Sequence, residues 1–180
     1  LESKEIPSPS NLVVDDTSIT ETITLDNANL QNYQNHYRDK EFFQLVTNLL
    51  LKYTKAELSI GNPYKRDGII TSYVDAAQLR SWFKPYDEVI LIHCRGQYLR
   101  ELLKKIEGVY PYAGFPIDFL LDYETYSVAV STFFMNDSAS FRTLQMCYID
   151  DNFKRIPMGN FITESLLQLK SDTVLGSNEV

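Results

Sequence analysis

The sequence predicts an α/β domain, and three observations predict it. The stretch from Ala56 to Glu107 changes periodicity three times. At its centre, Val89-Ile90-Leu91-Ile92 is a short apolar run of the kind that forms a buried strand. On either side apolar residues recur at helical spacing: Val74, Ala77, Leu79 and Trp82 before it, then Leu99, Leu102, Leu103 and Ile106 after it. With the run Ala56 to Ile60, the order becomes strand, loop, helix, strand, helix.

Leu1 to about Ser18 is rich in Ser, Pro, Asp and Glu without periodicity, as a linker or a segment laid over another domain is. From Ile19 to Leu25 polar and apolar residues alternate, which predicts an edge strand. The division expected is a linking segment over residues 1–26 and a domain over 27–180. Asn27 to Asn35, dense in Asn and Gln, reads as a surface loop. Phe42, Leu45, Val46, Leu49, Leu50 and Tyr53 then mark an amphipathic helix from Arg38 to Tyr53. The polar loop Gly61 to Gly68 follows the first central strand, and Pro85 stops the helix Val74 to Phe83. The next strand ends near Arg95, where Gly96 breaks the pattern before the second helix. Gly108 to Phe119, with its two prolines, is too stiff and broken for a helix and reads as an ordered loop. Tyr126 to Ser131 alternates as a strand, Phe133 to Phe141 reads as a second loop, and Leu144 to Tyr148 as a further strand. Phe161 to Leu169 predicts a final helix, and Thr173 to Val180 a frayed tail.

A chain of 180 residues, 44% hydrophobic and 23% charged, is long enough to bury one sizeable core. No apolar run approaches the length of a membrane span. A net charge of -7 argues against nucleic acid as a main partner, because phosphate binding needs clustered Lys and Arg. Cys94 and Cys147 make no disulfide framework and match no metal spacing, and Cys94 reads as core filling. The start at Leu1 rather than Met reads as a mid-chain start, and Asn136-Asp137-Ser138 is a glycosylation sequon.

Catalytic signatures are missing: there is no Gly-rich phosphate loop, no nucleophile elbow, no Cys-x-x-Cys and no His-Glu-x-x-His. His93, in an apolar strand, reads as structural, and His36 has no carboxylate or thiolate at metal-ligand spacing. Aromatic content is the larger anomaly, with 12 Tyr and 10 Phe. Most such rings fill the core, so the candidates for stacking on a planar ligand are those in loops: Tyr86, Tyr112, Phe115 and Phe133. Loops between rigid elements also draw attention to Asn62 and Arg66.

The order Ala56-Glu-Leu-Ser-Ile-Gly-Asn62, Arg66, Gly68-Ile-Ile-Thr71, Pro85-Tyr86, Val89-Ile-Leu-Ile and Gly96-x-x-Leu99 resembles the C-terminal domain of the 5′-nucleotidase family. Later, Tyr126-Ser-Val-Ala-Val-Ser-Thr-Phe133, followed by Asp137 and Phe141, is similar in spacing to that family's second substrate loop, and the whole resemblance runs from about Arg38 to Leu169. It implies a domain layered helix, sheet, sheet, helix. It also implies a substrate-recognition half that binds a nucleoside 5′-phosphate, while two divalent metal ions sit in an N-terminal metallophosphoesterase domain of the same protein. The expected reaction is phosphoric monoester hydrolysis, with this segment alone inactive, holding no cofactor and no catalytic residue. Family members are extracellular, periplasmic or vacuolar, and the Asn-rich composition resembles that of fungal chains.

Carried onto this sequence, the resemblance makes Phe133 one ring of a base sandwich and Tyr112 or Phe115 the other. Asn62 and Arg66 become the polar loop. The sequence departs from the family where glycines are expected, at Pro63 and Tyr64, and where an aspartate is expected near Ala139. The resemblance then leaves Asp137, two residues away, as the carboxylate expected to substitute. These departures keep a rival reading open, a non-catalytic ligand- or protein-binding domain with a degenerate nucleotide pocket.

Overall fold

A computed structural model describes residues 22–24, 35–62, 73–136 and 145–176. In chain order these form β1 (Thr22–Thr24), α1 (Asn35–Thr54), β2 (Leu58–Ile60), β3 (Tyr73–Asp75), α2 (Ala76–Ser81), β4 (Glu88–Arg95), α3 (Gly96–Ile106) and β5 (Tyr112–Gly114). After a 3-10 turn over Ile117–Phe119 come β6 (Thr125–Ser131), α4 (Thr132–Met135), β7 (Tyr148–Ile149), β8 (Ile156–Pro157) and α5 (Met158–Gly176).

The predicted α/β fold is the one observed. Six strands form a mixed sheet in the order β5-β2-β6-β4-β7, with β8 also on β4, and β1 pairs with β3 in a separate two-stranded sheet. β2 runs parallel to β6, and β4 runs antiparallel to β6 with Val89 opposite Ser131 and Arg95 opposite Thr125. Alternation along the strands sends side chains to two cores. Ile90, Ile92, Val128, Val130, Leu58 and Ile60 pack with Leu99, Leu102 and Leu103 of α3, whereas Val89 and Ala129 pack with Phe42, Val46, Leu50, Leu79 and Ile162 of α1, α2 and α5. Helices therefore cover both faces of the larger sheet. Among the described residues, no helix is long and apolar enough to cross a membrane.

Several boundaries differ from the sequence reading. Val74 belongs to β3, paired with Ile23, so the helix begins at Ala76. The Pro-rich stretch contains β5, because Leu58 to Ile60 offer it an antiparallel partner that local composition does not reveal. Thr132–Met135 forms a helical turn where a loop was expected, and α5 continues through Gly176 rather than fraying from Thr173. The expected strand from Leu144 reduces to Tyr148–Ile149, with Leu144 outside the described residues.

The largest correction concerns the cysteines. Cys94, fully buried at the end of β4, is bonded to Cys147 with the two Cα atoms 4.5 Å apart. The residues are 53 positions apart and meet only because β7 lies antiparallel on β4, with His93 opposite Tyr148. His93 is tied in as well: Nε2 lies 3.0 Å from Asp150 Oδ2, and the ring stacks on Tyr148 with centroids 5.0 Å apart. The hydrogen bond from His93 holds the Asp150 carboxyl below its ordinary range.

Candidate functional site

Three chain segments converge at one end of the large sheet. β2 and β6 are parallel, so both finish there, and antiparallel β4 begins there. The chain leaves β2 through Gly61 and Asn62. Gly61 is required by close approach: a Cβ at this position would lie 2.0 Å from Thr47 Oγ1 of α1. Its N–H donates to the Pro111 carbonyl at 2.9 Å, which keeps the start of β5 beside the same loop.

Asn62 is 9% exposed and its amide is engaged on both sides. Nδ2 donates to Asp87 Oδ2 at 3.0 Å, and Oδ1 accepts from Ser131 Oγ at 2.7 Å. Asp87, 1% exposed, sits in the turn before β4, and its other oxygen accepts from Phe133 N–H at 2.9 Å and from Thr132 Oγ1 at 3.2 Å. Ser131 is the N-cap of α4 and also accepts from Phe134 N–H at 3.3 Å. The Asp87 carbonyl accepts from Met158 N–H at 2.8 Å, which fastens the turn to the start of α5.

This network fixes the turn that carries Phe133. α4 is only one turn long. Phe134 points inward and packs edge-on against Tyr110, centroids 5.1 Å apart, while the neighbouring Phe133 remains 38% exposed. Tyr86, beside Asp87, is exposed at the same end of the sheet.

The two rings proposed as its partner are in different places. Tyr112 lies opposite Ile60, near the end of β2 where Asn62 follows, and its half-buried ring packs against the core beneath α3. The strand order leaves one strand, β2, between β5 and β6, a backbone separation of about 10 Å. Phe115 lies at the opposite end of β2: its N–H donates to the Glu57 carbonyl, whose own N–H reaches Ser127, and its ring tilts against Tyr126 at 5.5 Å. From Ser127 to Ser131 the strand advances about 13 Å, so Phe115 and Phe133 do not face one space. Arg66 and Asp137 lie outside the described residues.

Asp87, Ser131 and Thr132 were not singled out from the sequence. A Pro followed by an aromatic and an Asp reads as an ordinary turn, and nothing local shows that this Asp is buried. The signal that could have found them is Ser131-Thr132 closing an alternating strand, a hydroxyl pair suited to capping the next turn.

A separate open depression of about 430 Å³ lies at the far end of β6, lined by Arg100 and residues 120–124. Arg100 is already used there, donating to Asp122 Oδ1 at 2.5 Å and to the Leu120 carbonyl. No described group of three or more His, Cys, Asp or Glu could hold a metal ion. The two divalent metals implied by the resemblance thus find no ligand set among the described residues.

No known protein family description matches the sequence, and no curated protein matches it. Solved structures do match. The fold is similar to that of a 5′-nucleotidase precursor from Thermus thermophilus, with a TM-score of 0.53 and 13% identity over 72% of this chain and 32% of that one. It is similar to a 5′-nucleotidase-like protein from Staphylococcus aureus in complex with α-ketoglutarate, with a TM-score of 0.53 and 9% identity over 69% of this chain and 33% of that one. It is also similar to the sulfate thiohydrolase SoxB of Thermus thermophilus in complex with glycerol, with a TM-score of 0.51 and 15% identity over 71% and 29%. The chain spans about a third of the length of these proteins, and at such identities the likeness is one of fold.

Proposed function

We propose that this chain is the substrate-recognition part of a 5′-nucleotidase-like phosphohydrolase. It would hold the nucleoside of a nucleoside 5′-phosphate while a metallophosphoesterase domain of the same protein, carrying two divalent metals, hydrolyses the ester. Its fold, shared with 5′-nucleotidases over about 70% of the chain, is the observation that carries the reading. The exposed ring of Phe133 is the base-stacking group, with Tyr112 rather than Phe115 as its partner, since Tyr112 lies at the same end of the sheet. Asn62 keeps one N–H and one lone pair uncommitted among the described residues, enough to hydrogen-bond a ligand. Arg66 would counter the phosphate charge and Asp137 would bind the ribose. The Cys94–Cys147 bond supports an oxidising compartment, which fits an exported or vacuolar protein.

A second reading has its own observation. Asn62 is bound on both sides of its amide by Asp87 and Ser131, as a structural residue would be, which favours a non-catalytic binding domain with a degenerate pocket. Phosphate release by the full-length protein, with divalent metal and a panel of nucleoside monophosphates and simple phosphoesters, separates the two. Nucleotide-selective turnover weakened by Arg66→Ala supports the recognition role. No turnover with metals bound supports the binding domain.

A further inference from the structure

Two groups assigned above to the ligand, Asn62 and Phe133, reach the same end of the sheet from different strands and meet on one carboxylate. Asp87 Oδ2 receives the Asn62 amide and Oδ1 receives the Phe133 N–H. We propose that Asp87 is the positioning residue of the recognition site, locking the polar arm of Asn62 and the turn bearing Phe133 into one unit. This inference rests on the nucleotide-recognition reading of that site.

The hydrogen-bonding chemistry gives Asp87 this role more than any neighbour. Asn62 arrives from β2 and Phe133 from the end of β6, 71 residues later in the chain, and beside the Ser131 hydroxyl, which joins Asn62 Oδ1 to the Phe134 N–H, Asp87 is the side chain that ties them together. A carboxylate accepts on both oxygens, so it can face amide donors on two sides. An Asn at position 87 has one acceptor and one NH₂, and one of the two sides would then meet donor with donor. The same carboxylate sets which way the Asn62 amide points. Turning that amide over would aim its oxygen at the Asp87 carboxylate, acceptor against acceptor, and lose the bond at 3.0 Å, whereas the Ser131 hydroxyl can donate or accept and would bond either end. Asp87 itself is held by its own backbone, to Lys84 on one side and Met158 on the other, so it is a fixed reference for both arms.

The test is steady-state kinetics of the full-length protein on a nucleoside monophosphate and on a simple phosphoester. Asp87→Asn is expected to raise the nucleotide KM about tenfold while kcat changes less than about threefold, lowering the nucleotide-to-simple-ester ratio of kcat/KM. With Asn62→Ala already present, the same substitution should cost clearly less, because both act through one contact. A parallel loss on both substrates, full additivity with Asn62→Ala, or an unchanged KM in folded protein would overturn the proposal. Should Asp87→Asn fail to fold, Thr132→Val removes one contact to the carboxylate and should still raise the nucleotide KM severalfold; an unchanged value overturns the role. If the unsubstituted protein turns over simple esters alone, the nucleotide reading fails first, and the positioning role falls with it.

Discussion

Ser131 shows how much of the site is decided residue by residue. Its hydroxyl donates to Asn62 Oδ1 and accepts from Phe134 N–H, in a position with no solvent exposure. Ser131→Ala would leave a buried carbonyl oxygen and a helix-cap N–H without these partners. It is therefore expected to destabilise the protein by about 1–3 kcal/mol in chemical unfolding. A change below about 0.5 kcal/mol would mean that water replaces the hydroxyl. Asn62 and Phe133 were visible as candidates in the sequence because each follows an apolar strand, although Phe133 sits in the one-turn helix α4 rather than in a loop. Asp87 was not, since its burial depends on contacts 25 and 46 residues away along the chain. Strand register makes those contacts, and no local pattern reports it.

At the scale of elements, β7 is the clearest case of a short strand held by chemistry rather than length. Two paired residues would not hold an edge strand by themselves, but the disulfide, the His93–Asp150 contact and the Asp150 N–H to the Leu91 carbonyl fasten it to β4. Closing a loop of 53 residues is worth about 4 kcal/mol on chain-entropy grounds. Cys147→Ser, or reduction of the protein, should lower unfolding stability by an amount of that order, and an unchanged midpoint would show that the bond does not form in solution.

Asp150 gives β7 a dependence on pH as well. Its carboxyl titrates below the ordinary range in the folded protein, so its contribution is present above the unfolded value of 3.8 and disappears as pH falls through the folded one. Asp150→Asn should therefore lower stability at neutral pH and lower it less in acid, a difference readable from melting temperatures at the two pH values. Equal losses at both would assign the effect to packing. Elements with long apolar periodicity, α1, β4 and α3, were legible in the sequence. β5, hidden among prolines, and the disulfide depend on partners elsewhere in the sheet.

For the molecule as a whole, the α/β class followed from alternating periodicities, and the fold shared with 5′-nucleotidases agrees with it. What sequence order could not place was Phe115, whose register on β2 sends it to the wrong end of the sheet for a ring partner to Phe133. The chain spans about a third of the matched structures, so binding of a nucleotide can be measured apart from any hydrolysis. Equilibrium binding of a nucleoside monophosphate to the metal-free full-length protein, with and without Phe133→Ala, tests the central one directly. Base stacking contributes about 1–3 kcal/mol, so the substitution should weaken binding by roughly five- to 150-fold. An unchanged dissociation constant in a protein that still folds would contradict the account, because the nucleoside would then be held somewhere other than the end of the sheet where β2 and β6 finish.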